Sequence, residues 1–299
     1  MSQTDLINRY HWNYRPRSPQ RPQWFTAWPG GNRIAVTFNI MHEWESVPRS
    51  TAIRKREITH GAENIDFLAL GARQYGANFG FQRLLDILDR FEVKATVLTS
   101  GLMAELFPET LKDAVQRGHE VACHHWDQRR HPFEYTSMDE ERKAIVQAIA
   151  SIERATGQHP LGYMSPGPRP SSNTLGICAS LGFNWNGDYC DSDIPYMIDV
   201  NGKKILSVGY VRPAYTDNDL MPFGLSGALQ QLKDEFDAHY EESARHPMKF
   251  RYAMHNFTGG RPGMAKVFEK FLAYLKDHQG VWFCRCIDIA NFWAEHEGK

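Results

Sequence analysis

Hydrophobic positions along this chain follow two periodicities, short apolar runs that favour β-strands and longer stretches with apolar residues at helical spacing. Residues 34–40 (IAVTFNI) come directly after the turn Pro29-Gly30-Gly31 and predict a buried strand. The run at 95–99 (ATVLT) predicts a second strand. Further strands are predicted over residues 120–123, 250–254 and 281–286.

Helical stretches alternate with these strands. Residues 80–90 and 108–117 both have apolar residues at helical spacing, and Gly118 ends the second stretch. Ser137 and Glu140 match a capping box, which predicts a helix that ends near Gly157. Other helices are predicted over residues 172–181, 227–244 and 263–278. The alternation predicts an α/β fold with a parallel sheet, open or closed into a barrel, with its chemistry at the carboxyl ends of the strands.

The composition is typical of one folded domain. Of the 299 residues, 42% are hydrophobic and 23% are charged, which argues against disorder, and no repeat or low-complexity linker interrupts them. We expect a single domain over residues 1–299, with residues 1–25 as an N-terminal extension. The net charge of −1 comes without a basic stripe, so neither a nucleic acid nor a membrane surface is expected as a partner. Residues 1–22 contain no apolar run of the signal-peptide type, which predicts a cytoplasmic location.

The five cysteines are an odd set with neither zinc-ribbon nor CxxC spacing, and packing is the expected role of Cys284 and Cys286. Cys284 and Cys286 share one face of the predicted strand 281–286. Cys123 is adjacent to His124 and could act as a thiol nucleophile, but it ends an apolar strand, where burial is favoured.

Four polar clusters follow predicted strands, at the places where an α/β fold carries its chemistry. They are Met41-His42-Glu43-Trp44-Glu45, His124-His125-Trp126-Asp127-Gln128, Tyr163-Met164-Ser165-Pro166-Gly167 and His255-Asn256. Glu43, His124 and His255 form an acid/base set that could activate water and protonate a leaving nitrogen. A carboxylate with imidazole could also hold zinc or manganese, with Gln128 or Asp127 supplying an oxygen. Any single histidine among the 13 favours a structural role, and it is the recurrence after four strands that indicates a site.

At these clusters the sequence resembles the polysaccharide deacetylase (NodB-like) superfamily, and within it the cytoplasmic allantoinase/cyclic-imidase branch. The resemblance runs from about Asn32 to about Glu295. It rests on Arg33-Ile-Ala-Val36, Tyr75-Gly76, Ala95-Thr96, Gly118-His119-Glu120 with His124, Ser172-Asn173-Thr174, Gly182-Phe183, Asp191-Ser-Asp-Ile-Pro195-Tyr196, Met254-His255 and Gly260-Arg261-Pro262. It implies a distorted TIM-like (β/α) barrel with fewer strands than the full barrel.

The resemblance also implies roles by position. Glu43 matches the family's metal-binding aspartate, His124 its first metal-binding histidine, and His255 its late histidine, a general acid or substrate-orienting group. Gln128 stands where the second metal-binding histidine is expected, which implies a weaker site for zinc or manganese, with His125, Asp127 and His131 as further candidate ligands.

Two more positions depart from the deacetylase pattern. Met41 replaces the catalytic-base aspartate, and Met164 replaces an arginine before the Pro-Gly turn. Both departures disfavour polysaccharide deacetylation and bring the chain closer to the allantoinase-like branch.

The function that we expect is hydrolysis of an amide or imide bond in a small cyclic ureide or imide, by water activated at Glu43 and His124. Ser165 and Asn256 would bind the substrate through hydrogen bonds. The substrate walls would come from Trp44, His125, Trp126 and Phe257, although rim packing is an equal alternative for each aromatic. The other functions considered are a sugar or polysaccharide deacetylase and an inactive metabolite-binding homologue, which Met41 and Gln128 favour.

Relatives in the allantoinase-like branch form tetramers, and we therefore expect a homo-oligomer, either a tetramer or a dimer. Residues 47–70 form an insertion that could be an active-site lid or a subunit contact. His60 within it could reach a neighbour's site, but solvent exposure is the favoured expectation.

Overall fold

A curled, largely parallel sheet forms the centre of the molecule. The computed structural model describes residues 21–46, 66–200, 202–210 and 215–296. Their sheet has nine strands, eight of them in the order β6-β7-β5-β4-β3-β2-β1-β8, while β9 pairs with β1. The strands are β1 Ile34–His42, β2 Thr96–Thr99, β3 Glu120–Cys123, β4 Gly162–Tyr163, β5 Trp185–Asn186, β6 Tyr196–Val200, β7 Lys203–Ser207, β8 Met248–His255 and β9 Val281–Phe283.

Strand β1 is the hub of this sheet. It pairs in parallel with β8 from Ile34 to Met41, and its two halves pair with β9 and β2. All nine of its residues are buried, as expected for a strand covered on both faces. The only antiparallel pairing within the sheet of described residues is the β6–β7 hairpin at the far end. These features confirm the predicted α/β fold of the distorted (β/α)-barrel type.

Helices cover the outside of the sheet. They are α1 Phe67–Tyr75, α2 Phe81–Arg90, α3 Gly101–Leu106, α4 Pro108–Gln116, α5 Met138–Thr156, α6 Thr174–Ser180, α7 Asp217–Leu220, α8 Gly224–Glu242, α9 Pro262–Lys276 and α10 Cys286–His296. A π-helical turn, Gly76–Gly80, joins α1 to α2. None of the described helices has the length and apolar character that crossing a membrane requires.

Helix α5 begins and ends where the sequence predicts. The Ser137 hydroxyl accepts a hydrogen bond from the Glu140 amide, and Gly157 ends the helix with a φ of 73°. The capping box is only half formed, because the Glu140 carboxylate accepts instead from Thr136 and Arg130.

The C-terminal prediction is wrong in part. Strand β9 ends at Phe283, and Cys286 is the first residue of α10, so Cys284 and Cys286 do not share a strand face. The Asp288 carboxylate accepts from the Arg285 amide, and the Cys286 amide donates to the Thr96 hydroxyl, which together start a helix at this point. Both thiols are buried, in agreement with a packing role.

The described part of the N-terminal extension packs onto the barrel. Phe25 is fully buried, and its ring lies 4.8 Å from that of Trp293 on α10. The insertion predicted as a lid or subunit contact lies, for residues 47–65 and thus for His60, outside the described residues.

Glycines bring the α2 end of the π-helical turn into contact with the loop after β8. A Cβ on Gly80 would lie 1.9 Å from the carbonyl oxygen of Asn256, and one on Gly260 would lie 2.4 Å from the Cα of Gly80. Because these neighbours are backbone atoms, no side-chain rotation could relieve the clash. The loop is therefore held against α2 directly beside His255.

We expect Gly80→Ala to destabilise the protein by about 1–3 kcal/mol, because the added methyl group must displace backbone. Gly71→Ala is the matched control on α1, since a Cβ there meets nothing within 4 Å. The control should be neutral or more stable by about 0.5–1 kcal/mol. Urea denaturation of the two variants measures both effects, and equal stability of Gly80→Ala and the unmodified protein would contradict the proposed close packing.

Candidate functional site

Glu43 is the centre of the candidate site. It follows β1 and is 7% exposed. Its Oε1 lies 3.2 Å from Nε2 of His124 and 3.8 Å from Nε2 of His255, and its Oε2 lies 3.4 Å from Nη1 of Arg73. Burial raises the pKa of the Glu43 carboxyl, but His255, His124 and Arg73 outweigh it and hold this pKa at about 2. Glu43 is therefore an ionised carboxylate in a nearly dry site.

The orientation of Glu43 follows from the alternation of side chains along β1. The preceding residue, His42, faces the helices, where its Nδ1 and Nε2 lie 3.0 and 3.1 Å from the hydroxyls of Thr99 and Thr110. Burial lowers the pKa of His42 to about 3, so its ring is neutral. Since successive residues of a strand point to opposite faces, Glu43 is directed into the barrel mouth.

His124 is fully buried and follows β3. Its Nδ1 lies 2.7 Å from the carbonyl oxygen of Met164, so Nδ1–H must be the donor there. This leaves Nε2 facing Glu43. A hydrogen bond from Nε2 to Glu43 requires the doubly protonated ring, whereas the neutral ring presents a lone pair that can accept a proton from water.

His255 ends β8 and forms a dyad with Asp217 of α7. Its Nδ1 lies 2.6 Å from Asp217 Oδ1, and its backbone amide donates to Asp217 Oδ2 at 2.9 Å. Burial lowers the pKa of His255, but Asp217 and Glu43 raise it by more, so the net pKa lies above the ordinary value. With Nδ1 held by Asp217, Nε2–H points towards Glu43 and can act as a proton donor.

Asp217 is absent from the residues predicted by sequence. It lies in a stretch, Thr216-Asp217-Asn218-Asp219, whose acidic residues have an ordinary explanation as helix capping, and Thr216 and Asp219 do cap α7. No local signal separates Asp217 from Asp219.

Arg73 is the second functional residue that sequence reasoning missed. It lies on α1, is 8% exposed, and forms ion pairs with both Glu43 and Glu45. Its guanidinium carbon lies 3.8 Å from the ring centre of Phe257. The signal was a lone basic residue in the otherwise uncharged helix Phe67–Tyr75.

Two thioethers lie at the positions where the resemblance implies an acid and an arginine. Met41 and Met164 are both buried. The hydroxyl of Tyr210 lies 3.8 Å from Met41 Sδ, and Nη2 of Arg251 lies 3.1 Å from Met164 Sδ. Neither thioether can carry a proton at neutral pH, so proton transfer depends on Glu43 and the two histidines.

The predicted substrate contacts Ser165 and Asn256 differ in their surroundings. Ser165 is buried next to Met164, and its amide donates to Asp188 at 2.7 Å. Asn256 follows His255, and its side chain packs against Gly76, where a Cβ would lie within 3.0 Å of the amide nitrogen and oxygen. Asn256 thus contacts the π-helical turn, on the opposite side of the strand end from His255.

Three further predicted substrate contacts have other packing or hydrogen-bond partners in the described structure, and their role in the pocket wall stays a prediction. The Trp44 ring lies 5.3 Å from that of Phe107, and Trp126 packs against Gly101 of α3. His125, with a φ of 63°, lies between the hydroxyls of Tyr163 and Tyr135, at 3.1 and 3.0 Å. Trp44 and His125 each come directly after an inward-facing side chain, Glu43 and His124, and strand alternation turns them the other way. Among the predicted aromatics, Phe257 has a described ring contact with the site, 5.2 Å from His255.

The donors near Glu43 do not fit a metal site with three protein ligands. The side-chain amide of Gln128 donates to the His124 carbonyl at 3.0 Å, and the guanidinium of Arg73 lies on Glu43. The other candidate ligands are elsewhere: Asp127 accepts from the Ser46 and Arg129 amides, and His131 Nδ1 lies 3.0 Å from the Pro166 carbonyl. Within the described ranges, no group of three His, Cys, Asp or Glu residues could hold a metal. The expected Glu43–His124–Gln128 site is therefore not formed.

Comparison with known proteins gives a family match over part of the chain and several similar folds. The family model for polysaccharide deacetylase matches residues 74–185. The peptidoglycan deacetylase of Helicobacter pylori (strain ATCC 700392 / 26695) is 25% identical over 266 residues, which cover 77% of this chain and 88% of that protein. The crystal structure of a probable polysaccharide deacetylase from Pseudomonas aeruginosa PAO1 is 26% identical with a TM-score of 0.79, covering 95% of this chain and all of that one. The structure of Puue allantoinase is 25% identical with a TM-score of 0.78, covering 96% and 99%.

Proposed function

We propose that this chain opens the ring of a small cyclic ureide or imide. It carries a polysaccharide deacetylase domain of the NodB type, and it is a hydrolase of non-peptide carbon–nitrogen bonds. One observation carries the proposal: a buried carboxylate, Glu43, lies between the Nε2 atoms of His124 and His255. A group that activates water and a group that protonates a leaving nitrogen thus face the same small space.

The reaction needs only groups of this chain. Water beside Glu43 attacks a ring carbonyl carbon, and the Glu43–His124 pair accepts its proton as a unit, since Glu43 alone, with a pKa of about 2, is a weak base. The new C–O bond produces a tetrahedral oxyanion. His255 then donates a proton from Nε2 to the nitrogen as the C–N bond breaks. The product carries a carboxylate at one end and an amide or urea at the other, and one proton is released to solvent.

The surroundings of Glu43 favour a small substrate. The Glu43, His124 and His255 side chains are 9%, 0% and 13% exposed, which leaves little room for a polymer to approach them. Phe257 and the thioethers Met41 and Met164 suit the faces of a planar ring. The likeness to Puue allantoinase over nearly the full length of both chains supports the same class of substrate.

Removal of an acetyl group from an amino sugar is the second candidate. It is favoured by the relatives described as deacetylases, in Helicobacter pylori and in Pseudomonas aeruginosa. Amide hydrolysis there requires the same water activation and the same protonation of nitrogen. Against it is the uncharged pair Met41 and Met164, where the resemblance implies an acid and an arginine.

The deciding experiment is titration at constant pH with a panel of substrates. The panel contains allantoin, succinimide, maleimide, dihydrouracil and N-acetylglucosamine oligomers, and Glu43→Gln protein is the control for contaminating activity. Base consumption with any ring compound, absent in the control, supports the proposal. Acetate release from the oligomers alone would replace it with the deacetylase function. Silence of the folded protein across the panel would replace it with an inactive, metabolite-binding role.

Asp217→Asn is expected to move the alkaline limb of the kcat/KM profile to lower pH. His255 must be protonated to act as an acid, so activity is lost as pH rises through its raised pKa. Removing the charge of Asp217 removes the main cause of that rise. Asp219→Asn is the control on the same helix, because the Asp219 carboxylate accepts from the Thr216 amide at the start of α7. The alkaline limb of this variant should stay at the pH of the native protein. An unmoved limb in Asp217→Asn would contradict the acid role of His255.

A cytoplasmic location belongs to the same proposal, because a small metabolite is the expected substrate. A homo-oligomeric state, a dimer or a tetramer, belongs to it because closed homo-oligomers are common among cytoplasmic enzymes. Size-exclusion chromatography with light scattering tests the oligomeric state directly.

A further inference from the structure

Arg73 places a fixed positive charge inside the candidate site. Its Nη1 lies 3.4 Å from Glu43 Oε2, and its other terminal nitrogen pairs with Glu45. The three side chains are only 9–15% exposed. In such a setting charges interact strongly, because little water screens them.

The Arg73 charge lies where it would repel a metal cation bound to Glu43. A metal ion bound by Glu43 and His124 would share the Glu43 carboxylate with the guanidinium of Arg73. The remaining carboxylate near His255, Asp217, is already paired with that histidine. A divalent ion would therefore meet repulsion from Arg73 without another free acidic ligand among these contacts.

We propose that Arg73 is the resident cation of this site and that its charge excludes a divalent metal from Glu43 and His124. Arg73 is a positioning residue in this assignment. It holds the Glu43 carboxylate in place, and it supplies the positive charge that a metal ion would otherwise supply beside that carboxylate. The inference goes beyond the proposed function, because it concerns metal affinity, which is measured without substrate.

A latent metal site follows from the same geometry. Among the described residues, Glu43, His124 and His255 do not form a three-ligand metal site while Arg73 is present. Removal of Arg73 would free the Glu43 carboxylate, whose Oε1 lies 3.2 and 3.8 Å from the Nε2 atoms of His124 and His255, to turn towards an ion together with these histidines. His124 already has the arrangement common in metal-ligating histidines, because its Nδ1–H is donated to a backbone carbonyl and its Nε2 is left facing Glu43. Neutralising Arg73 should therefore create affinity where the native chain has little.

Calorimetric titration with zinc chloride tests this inference on the purified full chain, freed of metal with a chelator. Arg73→Met removes the charge with little change in bulk and is expected to bind zinc at least about tenfold more tightly than the native protein. Arg73→Lys keeps the charge and should stay weak. Arg73→Met combined with Glu43→Gln should lose the gain. Arg73→Gln is the second neutral variant, should Arg73→Met fail to fold.

Arg261→Met is the matched control. The Arg261 guanidinium stacks on Tyr75 at the end of α1, 3.7 Å from the ring centre, and forms no ion pair with Glu43 among the described contacts. Its zinc affinity should equal that of the native protein. Two results would overturn the inference: folded Arg73 variants without charge that bind zinc no more tightly than Arg261→Met, or a native chain that already binds zinc tightly through Glu43.

Discussion

Glu43→Gln is expected to lower kcat by about 10³-fold while leaving the fold intact. The amide has nearly the same size as the carboxylate, but it cannot share the proton of the attacking water with His124. It also removes the negative charge that faces both His124 and His255. Constant-pH titration with the ring compound identified by the panel measures the rate, and circular dichroism with thermal unfolding verifies the fold.

Glu45→Gln is the matched control for this prediction. Glu45 pairs with the same arginine, Arg73, whereas the described contacts to His124 and His255 come from Glu43. We expect the control to keep kcat within about tenfold, a loss that reflects weaker positioning of Arg73. Turnover in Glu43→Gln close to that of Glu45→Gln would remove Glu43 from the mechanism.

The strand-end residues could be predicted from the sequence because functional side chains of a parallel barrel lie at the carboxyl ends of its strands. Glu43 and His124 directly follow a strand and His255 ends one, and a short apolar run makes each of these strands recognisable. Parallel strands bring their carboxyl ends to one mouth of the barrel. The fold class followed from the same alternation. Sheet elements of two residues, such as β4 and β5, carry too little periodicity to be predicted.

Two features of the site cannot be predicted from the rule that parallel strands bring their carboxyl ends together. The direction of a side chain two residues past a strand depends on the local backbone, so the sequence does not predict that the ring of Trp44 packs on Phe107 or that His125 lies between two tyrosine hydroxyls. Long-range pairing is the other feature. Asp217 and Arg73 meet His255 and Glu43 across 38 and 30 residues of chain. The only local signal is at Arg73, the single charged residue of α1, and it does not identify Glu43 as the partner.

His255→Gln is the second substitution with a large expected effect, a loss of about 10²–10⁴-fold in kcat. Glutamine still fills the site and can donate a hydrogen bond, but it cannot deliver a proton to the departing nitrogen. The alkaline limb of the kcat/KM profile should disappear with the imidazole, because that limb reports the deprotonation of His255. If the substitution only disturbed packing around the site, the reaction would be slower but the alkaline limb of the kcat/KM profile would remain.

Combining Asp217→Asn with His255→Gln separates the two roles. Asp217 acts by holding Nδ1 of His255 and by favouring its protonated form, so once the imidazole is gone the carboxylate has nothing to orient. The double variant should therefore be no slower than His255→Gln alone, within about threefold, although each single change is costly. Additive losses in the double-mutant cycle would mean that Asp217 acts on the reaction independently of His255, and the assignment of the pair as one proton-donating unit would fail.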